Sequence, residues 1–337
     1  MHPKKIVPIF VILLVLGVLH LQNRAIAGPV DSAFEVDVFN AAKACIGTTL
    51  LADNHDRERP RIVELNMKGE TVWEYRLPVN LRRYTNPGFD VEQLPNGHIL
   101  FVLPGKGIYE IDRAGKVIWS HKDKKVSHDA DRLANGHTLY VFGYEDKKND
   151  AQVKEVTPDG KIVWAWYARE EFDKPPFKDV YNQGWTHTNA VTRMANGHTL
   201  ISPRNFNCLL EVDAKGKLVS LIGENYLEHP HDPEFLPNGN ILVANHQEPH
   251  EILEIDMHSK EILWRFALPK RRAWPVRDAD RLPNGNILIT GSTVLLEITP
   301  DKEIVWRLRL KNANFRNRKD APALGFYKAQ RITKEGI

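Results

Sequence analysis

One turn-and-strand phrase recurs six times along this chain. "LPNGHIL" at 94–100 returns as "LANGHTL" (133–139), "MANGHTL" (194–200) and "LPNGNIL" (236–242 and 282–288), with a degenerate first copy, "CIGTTLL", at 45–51. After each copy come two alternating stretches joined by a polar turn, as in "IYEIDRAGKVIWSH" (108–121) and "LLEITPDKEIVWRL" (295–308). Alternation of β-branched and aromatic residues, broken by Gly and Asn, is the pattern of antiparallel hairpins. The anchor glycines Gly47, Gly97, Gly136, Gly197, Gly239 and Gly285 lie 39 to 61 residues apart, room for four short strands per repeat. That period predicts an all-β chain, a six-bladed β-propeller. The first repeat lacks an inner strand of its own, and the C-terminal "FYKAQRITKEGI" aligns with the start of the sixth repeat. The expected closure pairs the C-terminal strand with the first blade, which hides sheet edges.

Ahead of the repeats, Lys4 and Lys5 precede the apolar run "IVPIFVILLVLGVLHL" and then "RAIAG", with Ala25 and Ala27 spaced as at a signal-peptidase site. Residues 1–27 are expected to be a secretory signal peptide and 28–337 a single propeller domain, periplasmic or secreted. The alternative is membrane association through an anchor formed by residues 6–21. The leader holds Lys4, Lys5, Arg24 and no acid, so 43 of the 46 basic residues remain against 43 acidic ones. A chain so balanced offers no basic face for nucleic acid. Cys45 and Cys208 fall in the first and fourth repeats, across a six-fold ring from each other, and are expected to be separate buried thiols. Trp73, Trp119, Trp164, Trp264 and Trp306 recur at one place in the last strand of five repeats and are expected to pack between blades. The longest insertion, 168–186, is expected to lie over one mouth of the ring.

Aligned on the anchor glycines, the inner strands carry Phe89, His128, Asn189, His231 and Arg277 eight positions upstream, with Lys328 from the closing strand. Ten upstream stand Pro87, Val126, His187, His229, Pro275 and Phe326. Residues two apart on a strand share a face. Both rows are therefore expected to line the central channel, while the alternate row seven upstream (Asp90, Asp129, Ala190, Asp232, Asp278) turns away. Imidazoles and cations gathered on one axis are costly to desolvate together, and an anionic ligand relieves that cost. His98, His137 and His198, in the repeated turn, read as structural. The twice-repeated "DADRL" (Asp129, Asp131 and Arg132; Asp278, Asp280 and Arg281) reads as inter-blade hydrogen bonding.

With these residues the chain resembles the bacterial arylsulfate sulfotransferases that use no nucleotide sulfate donor. The resemblance runs from about residue 34 to the end. It implies that His231 in "HPHDPEF" is a nucleophile, that His187 and Asn189 in "THTNAV" form the family's His-x-Asn pair, and that Arg204 in "SPRNFN" and His128 in "SHDADRL" complete the site. The implied reaction is ping-pong transfer of a sulfuryl group from an aryl sulfate to a phenol through a sulfo-histidine. Arg204 and His128 would hold the sulfuryl oxygens and Asn189 would donate to them. His187 would serve as acid and base, and Arg277, Lys328 and His229 would bind substrate. No cofactor is implied. Longer members carry an N-terminal β domain that helps dimerisation and a disulfide beside the site; here the first blade is expected almost directly after the leader, and Cys208 stands alone.

Three other readings stay open from the residues themselves. A metal enzyme could use His128, His187, His229 and His231, although Arg277 and Lys328 beside them disfavour a cation. The repeated Trp suggests a quinone-cofactor propeller, and a binding propeller would hold aryl sulfates or phenols without turning them over.

Overall fold

A computed structural model describes residues 33–247, 249–268, 275–311 and 324–333. The expected leader, 1–27, lies outside the described residues. Six antiparallel sheets form the blades of a propeller, each running from an inner strand outward. Blade 3, for example, is Ser127–Arg132, Thr138–Val141, Val153–Val156 and Ile162–Trp166. The other inner strands are Val91–Gln93 (blade 2), Thr188–Arg193 (blade 4), Pro230–Phe235 (blade 5) and Val276–Arg281 (blade 6).

Both ends of the chain contribute to closure. Phe326–Ile332 is the inner strand of blade 1, antiparallel to Thr48–Asp53. Phe34–Phe39 adds a fifth strand outside blade 6, against Ile304–Leu310. That second closure, which the repeat pattern does not announce, covers one edge from each end of the molecule.

The Asn-Gly phrase makes the turn between the first two strands of a blade. Its glycines adopt φ of 82° to 87° at Gly97, Gly136, Gly197, Gly239 and Gly285, a region open to glycine at little cost. Successive blades bury mixed aliphatic and aromatic clusters between them, such as Tyr75, Phe89, Phe101 and Tyr109 between blades 1 and 2. Phe89, expected in the channel, lies in that cluster, edge-on to Phe101.

Polar clasps recur on the same frame. Trp73, Trp119, Trp264 and Trp306 each donate Nε1–H to a carbonyl in the next blade, those of Arg113, Pro158, Pro300 and Met67. In blade 3 that donor is Trp166, bonded to the Gly216 carbonyl, while Trp164 lies under the Arg193 guanidinium. His98, His137 and His198 bond through Nδ1 to Glu110, Glu155 and Glu211 of their own blades. Arg132 and Arg281 reach back to Glu110 and Glu254 of the preceding blade. Cys45 and Cys208 are buried in different clusters and form no disulfide with each other.

Candidate active site

A regular inner strand would send alternate side chains to opposite faces. Five of the six break that alternation at the same depth. The register slips past Asn189 in blade 4 and Arg277 in blade 6, and past residue pairs 128–129 in blade 3, 232–233 in blade 5 and 327–328 in blade 1. His128, His187, His229 and Asp232 take left-handed φ values of 62°, 48°, 52° and 43°. Such conformations are uncommon for side-chain-bearing residues and gather where a site is being aimed. Adjacent residues thereby reach the same channel at successive depths, so the two-residue period does not hold here.

The upper layer is a cluster of imidazoles and guanidinium groups. His128 and His187, from blade 3 and the approach to blade 4, face each other with Nε2 atoms 3.3 Å apart. Arg204, just past the second strand of blade 4, donates to His187 Nδ1 at 3.0 Å. His231 stacks on His246, ring centroids 4.5 Å apart and planes 17° from parallel. Tyr327, from the closing strand, stands between the two pairs, 5.9 Å from the His128 ring and 6.4 Å from that of His231. Arg277 lies 5.6 Å from the Tyr327 ring centre and donates to the Phe326 carbonyl. His229 sits half-buried beside the cluster, its Nδ1 2.7 Å from Gln247 Nε2.

The lower layer is acidic, and Lys328 belongs to it. Its Nζ lies 3.1 Å from Asp232, 3.7 Å from Asp90 and 3.8 Å from Asp129, carboxylates of three blades. The expectation that Lys328 binds substrate beside His128 is corrected: Tyr327 occupies that level, because the bulge leaves Tyr327 and Lys328 both opposite Ala52. The same geometry corrects the expectation that Asp90, Asp129 and Asp232 turn away from the axis. Asp129 also accepts from Val191 N of blade 4 at 2.7 Å, the inter-blade hydrogen bond expected of its motif.

Two further assignments meet the geometry. Asn189 Nδ2 donates to the Pro230 carbonyl at 3.0 Å, and Ser202 Oγ donates to the same atom at 2.9 Å. Asn189 thus braces the backbone before His231. His187 has both ring nitrogens engaged, Nδ1 with Arg204 and the Asn182 carbonyl, Nε2 with His128. Neither nitrogen is open to a phenolic oxygen, so the acid and base role expected of His187 does not fit this arrangement. Among the described residues, no group of three or more His, Cys, Asp or Glu is arranged to hold a metal.

Comparison with known proteins adds to this geometry. A family model described as "Arylsulfotransferase (ASST)" matches residues 35–227. The chain belongs to the arylsulfotransferase family. Membership points to arylsulfotransferase activity, with aryl sulfates and phenols as substrates. The matched segment holds His128, His187, Asn189 and Arg204; His231, Arg277 and Tyr327 follow it. No curated protein matches the chain. Among solved structures, a Bacteroides caccae protein of unknown function is similar at 18% identity and TM-score 0.63, covering 86% of this chain and 100% of its own. A catalytically inactive virginiamycin B lyase from Staphylococcus aureus is similar at 14% identity and TM-score 0.54, covering 83% and 90%. At such identities the likeness is one of fold.

In this arylsulfotransferase-family site, burial keeps the imidazoles neutral. It pushes His128 down to about 3, helped by Arg204 and Arg277, and His246 to about 3, helped by Arg204. Burial and Arg204 take His229 to about 4. His187 and His231 are held well below the usual range, first by burial and then by their charged and imidazole neighbours. Arg277 is lowered to about 10, also by burial. A compartment of neutral imidazoles and two guanidinium groups has surplus positive charge and suits an anion.

Sequence reasoning missed Tyr327, His246, Ser202 and Asp146. Tyr327 is recoverable if one residue of slip is allowed in the closing strand. His246 ends the second strand of blade 5, outside the aligned columns. Asp146 accepts from His187 N (3.0 Å), Thr186 Oγ1 (2.8 Å) and Gln152 Nε2 (3.0 Å), tying the insertion to blade 3, and nothing local in the sequence marks it.

Proposed function

We propose that the chain transfers a sulfuryl group from an aryl sulfate to a phenol through a sulfo-histidine on His231. One observation carries the reading: His231, buried and held neutral, shares a compartment with Arg204, Arg277 and the His128–His187 pair. A ring nitrogen lone pair of His231 forms the N–S bond as the S–O bond to the aryl group breaks. The bonding electrons leave with the phenolate oxygen. In the second half a phenol oxygen attacks the same sulfur, the N–S pair returns to His231, and the phenolic proton is released.

The pattern of protons favours Arg204 and His128 as holders of the sulfuryl oxygens. A guanidinium can only donate, so Arg204 takes the His187 Nδ1 lone pair; the Asn182 carbonyl beside it already accepts from Asn205 Nδ2. His187 then carries its proton on Nε2 and donates it to His128 Nε2. That leaves the proton of His128 on Nδ1, a buried nitrogen with no hydrogen-bond partner in the protein. A sulfuryl oxygen supplies the missing acceptor, and charge stabilisation of this kind dominates transfer of such groups.

The test is to incubate the purified protein with 4-nitrophenyl sulfate and map any sulfate-sized adduct by fragmentation mass spectrometry. An adduct on His231 that a phenol discharges is the expected result. Undiminished transfer by His231→Ala would overturn the reading. Export, by way of residues 1–27, belongs to the same proposal and is checked by N-terminal sequencing of the protein recovered from cells.

A further inference from the structure

His246 stands against the proposed nucleophile more closely than any partner the sequence singled out. It directly follows the second strand of blade 5, Asn240–Asn245, while His231 pairs with Ala244 of that strand. Its Nδ1 lies 2.8 Å from the carbonyl of Val276 in blade 6. A carbonyl only accepts, so Nδ1 carries the proton and the ring is fixed between blades 5 and 6. Its own carbonyl is held in turn by His250 Nδ1 at 2.5 Å. The ring cannot swing without breaking the bond to Val276.

Two imidazoles stacked nearly parallel leave their edges side by side. An oxygen leaving in line from sulfur, opposite His231, lies away from the His246 ring edge. Proton transfer to that oxygen is therefore not what the stack serves. What it serves is the ring itself. When His231 takes the sulfuryl group and keeps its own N–H, its ring becomes cationic while the attached SO3 group keeps its negative charge, so the N-sulfo-imidazolium as a whole is neutral. The new N–S bond uses the ring lone pair, and the broken S–O pair leaves on the aryl oxygen. Positive charge inside a buried compartment that already holds Arg204 and Arg277 is opposed by both. A neutral aromatic face against the charged ring offsets that opposition.

We propose that His246 is a positioning residue for the transfer reaction: its neutral ring fixes the plane of His231 and stabilises the sulfo-imidazolium by stacking. The inference rests on the sulfo-histidine reading. Burial keeps His246 itself neutral, the state in which it attracts rather than repels the charged ring.

Three variants test it. His246→Ala removes the stack, His246→Phe keeps an aromatic face without the hydrogen bond, and His246→Gln keeps a polar group without the face. The readouts are single-turnover formation of the His231 adduct, the KM–kcat split, and the His231 ring titration by NMR without substrate. Expected is a fall of about 30-fold in adduct formation for His246→Ala and His246→Gln, the size of a desolvated cation–π contact, with KM within about twofold. His246→Phe is expected within about fivefold of wild type. In His246→Ala the His231 ring should titrate at lower pH, because a neutral stacked face favours the protonated ring as it does the sulfated one. If His246→Phe is as slow as His246→Ala, or if all three match wild type, the stacking role is overturned. If wild type forms no adduct on His231 the sulfo-histidine reading has failed instead, and the NMR titration still reports whether the stack exists.

Discussion

At the scale of single residues, the site depends on keeping imidazoles unprotonated beside permanent cations. Arg204 appears among the causes that lower His128, His187, His229, His231 and His246 alike. Because kcat/KM reports the free enzyme, its acid limb should lie well below the usual histidine range, with transfer persisting to about pH 5. Arg204→Gln should reduce kcat/KM on the order of 10² to 10³-fold, as for loss of one fixed donor. It should also move the acid limb to higher pH, because the imidazoles regain protons more easily. A pH–rate profile of both proteins with 4-nitrophenyl sulfate checks it; an unmoved limb would mean that burial alone sets the titration. His231 and His128 were readable from spacing and resemblance. Tyr327 was not, since a single slip in one strand exchanges it with Lys328.

At the scale of elements, the insertion 168–186 is a packed wall. Phe172, Phe177, Trp185 and Phe206 form one aromatic cluster, and Asp146 ties the end of the insertion to blade 3. Gly143 lies against this junction, where a Cβ would come within 2.1 Å of the Thr188 carbonyl. Asp146→Ala should cost about 3 kcal/mol or more, because it strands the buried backbone N–H groups of Thr186 and His187 together. It should also lower transfer activity by loosening His187, whose backbone N–H it holds. Urea unfolding alongside a rate assay measures both. Equal stability with lost activity would assign Asp146 to the chemistry rather than to the junction. The insertion's length and aromatic content were visible in the sequence, but its partner across the blade was not.

At the scale of the whole molecule, the two closing strands and the acidic layer act together. Lys328 arrives on the closing strand and meets Asp90, Asp129 and Asp232, so the ring is completed by charge as well as by hydrogen bonds. Burial raises Asp90 to about 6, Asp131 to about 7, Glu92 to about 8 and Glu234 to about 7. A raised carboxyl holds a proton in the fold that the unfolded chain releases, so its contribution is full below about pH 4 and declines as pH rises through 6 to 8. The depressed histidines work oppositely: their contribution is full above about 6.5 and is lost as pH falls towards 4 and 3. Lys328→Met should therefore destabilise more at pH 8 than at pH 5, by about 3 to 5 kcal/mol at the higher pH. Denaturant unfolding at the two pH values tests this, and an equal loss at both would show that Lys328 contributes packing alone.

The amino-acid sequence by itself determined the blade count, the turn chemistry, the outer-strand tryptophans and most of the imidazoles, because these repeat at fixed spacing and rest on local alternation. The tertiary structure alone decided which adjacent residues turn to the channel, that Lys328 faces carboxylates, and that His246 lies flat on His231. Those depend on bulges and left-handed residues that only the competition of six converging strands for one axis selects. Periodicity describes a strand in isolation; the axis is where no strand is isolated.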